Sequence, residues 1–304
     1  MQQIRRNSRR SLILSAALVA LVTASGSAQS VSGSSPGADA LRHNPIFGLG
    51  PQTIWRGGFG VALEGQLTQR TGTLEERGRG LHGELIYGIT QDVNLALAFP
   101  LVQRRTMRGL APGGAQIDRD ATGLGDAVIR AKWRFFHSFT GRTQYHAAVI
   151  GGVKVPLAEA SGDPPLGSGS TDFLAGATVS RDGLRSYLWL SGLVRVNGEA
   201  FGRQLGNEYR YDAAVGLRPW IPTFRGIDPL FLVEFNGVTA ARTVVDGTAQ
   251  SASGGTILAI SPGFWLTYRN WALKGGIKLP VLHRLRGNQP ELDYTVVLSI
   301  ETHM

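Results

Sequence analysis

A two-residue alternation of apolar and polar side chains recurs along this sequence, and it limits the chain to folds built from two-faced strands. It is plainest in the last hairpin, Trp271 to Ile300. One arm sets Trp271, Leu273, Gly275, Ile277 and Leu279 on one face and Ala272, Lys274, Gly276, Lys278 and Pro280 on the other. The second arm opposes Leu292, Tyr294, Val296, Leu298 and Ile300 to Asp293, Thr295, Val297, Ser299 and Glu301. About ten residues per arm is the length at which a tilted strand crosses a bilayer. A soluble hairpin has the same two faces, so one hairpin alone does not distinguish a membrane strand pair from a soluble one.

The pattern does recur. Phe59, Val61, Leu63 and Leu67 alternate with Gly60, Ala62, Glu64 and Gln66; Leu81, Leu85 and Tyr87 alternate with His82, Glu84 and Ile86. Ala127, Ile129, Ala131, Trp133 and Phe135 face away from Asp126, Val128, Arg130, Lys132 and Arg134. Further arms are expected near 93–99, 145–155, 171–179, 187–196, 209–217, 230–235 and 256–268, about twelve strands in all. In the arm at 187–196, Leu188, Leu190, Val194 and Val196 are assigned outward, which turns Tyr187 and Trp189 inward.

The connections alternate too. Thr90–Asp92, Arg181–Arg185 and Arg269–Asn270 are short, whereas Arg104–Thr122, Leu157–Ser170 and Thr239–Ser253 read as long loops. Short turns at one end and long loops at the other mark an outer-membrane barrel, with the loops outside the cell. Trp133, Phe135, Phe136, Tyr145, Trp220, Phe231, Trp265, Tyr268 and Trp271 gather at the short-turn end, as an interfacial girdle does.

The N-terminus reads as an export signal. Arg5, Arg6, Arg9 and Arg10 precede an apolar run from Leu12 to Val22, and Gly26-Ser27-Ala28 supplies small residues for cleavage after Ala28. The run is too short for a spanning helix, which needs about 20 residues. Cleavage would leave 27 basic residues against 22 acidic, a balance of +5 in place of +9 and too diffuse to indicate nucleic acid. With no cysteine, a disulfide scaffold, a thiolate zinc site and a lipid-modified cysteine are excluded. Glycine, at 41 residues, is about twice its usual share, which suits bends and close packing in a barrel wall.

The expected organisation is a signal peptide at 1–28, a flexible leader with a strap or plug segment at 29–58, and a transmembrane antiparallel up-and-down β-barrel at 59–304. Leu41 to Trp55 is mildly apolar; a strap beneath the barrel is the simpler reading, a plug entering it the other. In hydrocarbon every backbone group must be paired, so exported membrane strands must close into a barrel. The expected partners are outer-membrane lipid, lipopolysaccharide and a small-molecule substrate, with no nucleic acid, no cofactor and no metal, in a monomer or weak oligomer.

Three motifs in order carry a family resemblance. Gly123-Leu124-Gly125-Asp126 leads into Ala131-Lys132-Trp133-Arg134-Phe135; Gly151-Gly152-Val153-Lys154-Val155-Pro156 is followed by Gly167-Ser168-Gly169-Ser170-Thr171-Asp172; and Gly276-Ile277-Lys278-Leu279-Pro280-Val281 is followed by Gly287-Asn288-Gln289-Pro290 and Leu292-Asp293-Tyr294. The chain beyond Ile46 resembles the outer-membrane barrel family labelled "MetA-pathway of phenol degradation". The resemblance implies an outer-membrane location and uptake of aromatic or other apolar compounds. The chain departs from common outer-membrane practice in ending Glu301-Thr302-His303-Met304, without a terminal aromatic residue.

The candidate lumen or substrate-path residues are Glu64, Glu84, Asp126, Arg130, Lys132, Arg134, Lys154, Asp172, Asp212, Lys274, Lys278 and Asp293. Lys154 and Lys278 each precede a proline by two residues and face an inward Asp across a loop, so Lys154–Asp172 and Lys278–Asp293 are expected pairs. Wall ties are preferred over substrate binding for them. A mixed-sign lumen at about twelve strands points to a narrow, salt-bridged interior rather than a wide pore. The reading is a barrel that passes or binds small, apolar or aromatic molecules; the alternative is a structural or surface-interaction barrel with a closed lumen. An outer-membrane lipid hydrolase is a third class, but no motif joins His82 or His146 to Ser170, Ser180 or Ser299, so no enzyme is expected. The six histidines lack metal-ligand spacing, and Gly123-Leu124-Gly125 opens no helix as a nucleotide loop must.

Overall fold

The computed structural model describes residues 44–110, 114–221 and 226–304. The expected signal peptide and the leader up to residue 43 lie outside the described residues. From Phe59 onward the chain is made of strands: β1 (Phe59–Thr71), β2 (Leu74–Gly88), β3 (Val93–Leu110), β4 (Gln116–Gly123), β5 (Ala127–Thr140) and β6 (Thr143–Val155). Then come β7 (Asp172–Asp182), β8 (Ser186–Val196), β9 (Glu199–Ala200), β10 (Arg203–Gln204), β11 (Glu208–Leu217) and β12 (Asp228–Ala240). The series ends with β13 (Val244–Val245), β14 (Thr248–Ala249), β15 (Gly255–Tyr268), β16 (Trp271–Leu285) and β17 (Glu291–His303).

Twelve of these close into one antiparallel ring, in the order β1, β2, β3, β5, β6, β7, β8, β11, β12, β15, β16, β17. The ring shuts where β1 meets β17, with Gly60 opposite His303 and Leu63 opposite Ile300. Closure leaves no unpaired edge, the condition a sheet must meet in hydrocarbon.

The alternation sorts the wall as expected. Ile129, Leu190, Val194, Val196, Val296, Leu298 and Ile300 are exposed on the outer surface, whereas Tyr187, Trp189, Thr295 and Ser299 are buried inside. The apolar run Leu230 to Phe235 resolves the same way: Phe231, Val233 and Phe235 face out, and Leu230, Leu232 and Glu234 face in. That run is continuous in hydrophobicity because the barrel holds an inner apolar cluster there, of Tyr187, Trp189, Leu230, Leu232 and Trp265 with Ile46.

Three expectations are corrected. Arg104 to Thr122 is not a loop: β3 runs on to Leu110 and turns back as β4, which pairs with it from Gln103↔Gly123 to Leu110↔Gln116. Beyond the lipid neither face need be apolar, so the hydrophobic period disappears while the strand continues. β1 and β2 extend beside it, separated by only Gly72 and Thr73, with Leu74 of β2 opposite Gly109 of β3. Trp265 leaves the girdle: it is 1 % exposed and points inward, while the other eight aromatic residues named above are exposed. Asp293 turns out of the lumen, because it is the extra residue of a bulge where Gln69 pairs with Tyr294 and Arg70 with Leu292. Its carboxylate accepts a hydrogen bond from Thr71 at 2.5 Å on the exposed side.

Candidate functional site: the filled lumen and its vestibule

Residues 44–55 precede β1 and cross the bore. At one wall the Glu234 carboxylate, fully buried, accepts hydrogen bonds from three successive backbone N–H groups, those of Ile46 (2.5 Å), Phe47 (3.1 Å) and Gly48 (3.0 Å). Consecutive amides curled around an anion form a nest, which holds a charge that bare burial would reject. In the middle of the bore the Leu49 N–H donates to Ser191 Oγ at 3.3 Å and its carbonyl accepts from Thr178 at 2.9 Å. At the far wall Lys132 donates to the carbonyls of Gly50 (2.8 Å) and Gln52 (3.0 Å). Gln52 then donates to Asp182 at 2.6 Å and Thr53 to the Gln91 carbonyl at 2.7 Å, by the short turns.

The segment thus ties β12 to β5, nearly opposite strands of the ring. It leaves the bore beside β2, where a Cβ on Gly88 would lie 2.0 Å from the Trp55 carbonyl oxygen, so only glycine lets the two backbones pass. Its apolar residues complete the interior. Ile46 joins the aromatic cluster, Leu49 packs with Ile150 and Leu193, and Ile54 with Ala62, Ile86 and Ala96.

Charged residues fill the bore around it. Arg130 pairs with Glu84, with Glu64 buried nearby on β1; Lys274 stands 2.8 Å from Glu301 and over the Trp265 ring at 4.2 Å. Lys278 lies over the Phe47 ring at 4.6 Å and shares a small cavity with Asp212 and Arg210. The expected Lys278–Asp293 pair is therefore absent: the β16–β17 register sets Thr295 opposite Lys278, and Asp293 beyond it turns outward in its bulge. Arg134 stands at the short-turn rim, 2.8 Å from Asp92, and does not continue the Arg130–Lys132 ladder into the bore.

At the loop end the other pair is as expected. Lys154 and Asp172 are direct partners across β6 and β7, with Nζ 2.9 Å from the carboxylate. Asp126 stands 3.1 Å from the same Nζ, and Arg195 lies 3.2 Å from Asp172. Glu208, 4.0 Å from Arg195 and 2.8 Å from Arg210, extends the network over β8 and β11. Sequence reasoning missed Arg195, which lies within the expected but less cleanly patterned arm 187–196, and also the second pair of this level, Arg105–Glu76 at 2.7 Å, whose members lie beyond the ends of the expected arms. Together these groups line a vestibule of about 230 Å³, shared by Arg70, Glu76, Arg105, Lys154, Asp172 and Glu208. The β6–β7 loop leans over it: the Leu166 carbonyl accepts from Gln103 at 2.6 Å and Asp163 pairs with Arg119 at 2.7 Å.

The histidines named for a hydrolase stand apart. His82 is buried on β2; His146 lies opposite Ser180, with Nε2 3.7 Å from Asp182. In that trio Asp182 approaches Nε2, the nitrogen a serine-activating histidine would turn to its nucleophile, and Gln52 donates to both Ser180 (3.2 Å) and Asp182. Among the described residues no group of three or more His, Cys, Asp or Glu is placed to hold a metal ion.

No family model matches the sequence, and no curated protein matches it. Among solved structures the chain is similar to the COG4313 outer membrane channel from Pseudomonas putida F1, with a TM-score of 0.63 at 14% identity over 84% of this chain and 98% of that one. The beta domain of the Bordetella autotransporter BrkA gives 0.48 at 9% identity over 81% and 100%, and the NanC porin 0.42 at 10% over 79% and 98%. Identities this low speak of fold alone, and the last two are too distant in shape to add to the first. By its strand order, closure and outward apolar face, the chain is a closed twelve-strand antiparallel β-barrel of outer-membrane type.

Proposed function

We propose that this barrel takes small molecules into its loop-side vestibule and passes them across the outer membrane when residues 44–55 give way. The observation that carries the reading is the position of that segment. It spans the bore between Glu234 and Lys132, on the short-turn side of the loop-end cavity of about 230 Å³, with the Arg130–Glu84 pair between them. A barrel meant only as a wall or anchor has no need of a removable core; its side chains fill the interior unaided at small strand numbers.

The charged vestibule suits solutes that carry a polar or ionised group. The apolar or aromatic compounds implied by the resemblance to the phenol-degradation family find support lower down. There Tyr187 and Trp189 stack at 5.5 Å beside Leu230, Leu232 and Trp265, a surface that the segment now covers. A solute with an aromatic body and one polar group fits both levels.

The test is conductance and solute uptake by the purified chain in bilayers and liposomes, beside a variant lacking residues 44–55. Flux that rises at least tenfold on deletion, in a variant that still forms a heat-resistant barrel, supports the reading. A folded deletion variant as closed as the parent would overturn it and leave the closed, surface-interaction barrel in its place.

A further inference from the structure

The outward face of β2 and β3 changes character within one step of the ladder. Below the step Tyr87 is paired with Leu95 and Leu81 with Val102, all four exposed and apolar. Above it Arg79 is paired with Arg104, Arg77 with Thr106 and Glu75 with Arg108. These six residues line a shallow hollow of about 230 Å³ on the tongue that β2, β3 and β4 raise beyond the apolar wall.

The charges there do not balance. Arg104 Nε stands 3.0 Å from both Asp120 oxygens, Arg108 is 3.2 Å from Asp118, and Arg77 is 3.5 Å from Glu75. The fourth arginine, Arg79, is exposed and has no ion-pair partner within 4.0 Å among the described residues. It also faces another arginine across the ladder, and like charges directly opposite destabilise a sheet. An anion seated between Arg79 and Arg104 removes that repulsion.

Height above the apolar wall selects which anion. Two residues beyond Leu81 and Val102, on the same face, is the level of the headgroups of lipids whose chains lie against those side chains. Guanidinium forks match phosphate oxygens in pairs, and a soluble anion gains nothing from the wall below. We infer that this hollow binds the phosphate of an acylated glycolipid in the outer leaflet, held between Arg79 and Arg104 with its acyl chains against Leu81 and Val102. The inference rests on the outer-membrane setting and on the loops facing outward; it is independent of what the lumen carries.

The experiment uses the whole purified chain in detergent and measures binding by native mass spectrometry and thermal shift. The probes are lipid A, dephosphorylated lipid A and inorganic phosphate. Saturable binding of lipid A is expected, at least tenfold tighter than of the dephosphorylated form, with no competition from inorganic phosphate at equal concentration. R79Q should weaken binding several-fold and R79Q/R104Q at least tenfold. Equal binding of both lipids would reduce the hollow to part of the greasy wall; competition by phosphate would make it a free-anion site; unchanged affinity in the variants would remove the arginines from it. Any of these overturns the inference. Arg79 makes no ion pair, so R79Q should fold; if the double variant does not, R79Q and the two lipids on the parent chain still decide. Because no flux is measured, the result is separate from the test of passage.

Discussion

Lys154 Nζ stands 2.9 Å from the Asp172 carboxylate, with both side chains almost wholly buried and each also touching a further charged group. Losing one member of a buried pair costs at most about 3–5 kcal/mol, and less where the survivor keeps a partner, as Asp172 keeps Arg195. Lys154→Met should therefore lower unfolding stability by less than that limit, and Lys154→Met/Asp172→Leu should recover part of the loss. A double-mutant cycle on urea unfolding checks this. Strictly additive single effects would mean the two residues are energetically independent.

Glu234 offers a gentler handle on the inner segment than deletion does. Hydrogen bonds to a charged group contribute about 1.5–3 kcal/mol each. Glu234→Ala removes the acceptor for three backbone N–H groups, so the balance between seated and released segment should shift by about tenfold or more. Single-channel recordings should show longer or more frequent openings, with Glu234→Gln intermediate. A closed Glu234→Ala barrel would show that the nest is not what holds the segment.

The lipid-facing register is open to a direct check. Ile129 and Val296 lie on the exposed apolar wall. Lysine at either position, mid-wall, should cost about 2–4 kcal/mol in folding into lipid vesicles. Leucine there should cost under about 1.5 kcal/mol. Equal tolerance of lysine and leucine would mean these residues do not meet hydrocarbon.

Since the chain has no cysteine, a single introduced thiol reports one site without background. Ala160→Cys in the β6–β7 loop and Ala249→Cys on β14 should react with an impermeant maleimide on intact cells. Arg142→Cys, in the β5–β6 turn, should react only after the outer membrane is permeabilised. The opposite pattern would invert the orientation and move the arginine hollow to the inner leaflet.

The wall was legible because lipid enforces a strict rule on every second residue. Ile129, Leu190 and Leu298 must be apolar where they stand, and so must the inward turn of Tyr187 and Trp189 follow from their neighbours. What escaped lies where that rule lapses. Arg104, Thr106 and Arg108 against Asp118 and Asp120 belong to a three-stranded tongue of β2, β3 and β4 in water, and charged alternation of that kind also describes a loop. The Asp293 bulge depends on the register of β1 against β17, a relation between distant strands that neither strand displays alone. Register between strands likewise sets Asp172 opposite Lys154 but Thr295 opposite Lys278, although the local spacing is alike. The path of residues 44–55 depends on amides from Ile46 to Gly48 meeting a carboxylate on β12, and backbone donors leave no trace in side-chain patterning.

That path also sets an order of assembly. Ile46 reaches its carboxylate across 188 positions of chain, and Leu49 meets Ser191 across 142. Contacts of such sequence separation form late, after the intervening loops have been closed. The stretch just ahead of β1, first of the described residues to be made, lacks its Glu234 anchor until β12 is in place. A barrel growing strand by strand is therefore hollow and wet for most of its making, and becomes filled only as its final strands arrive.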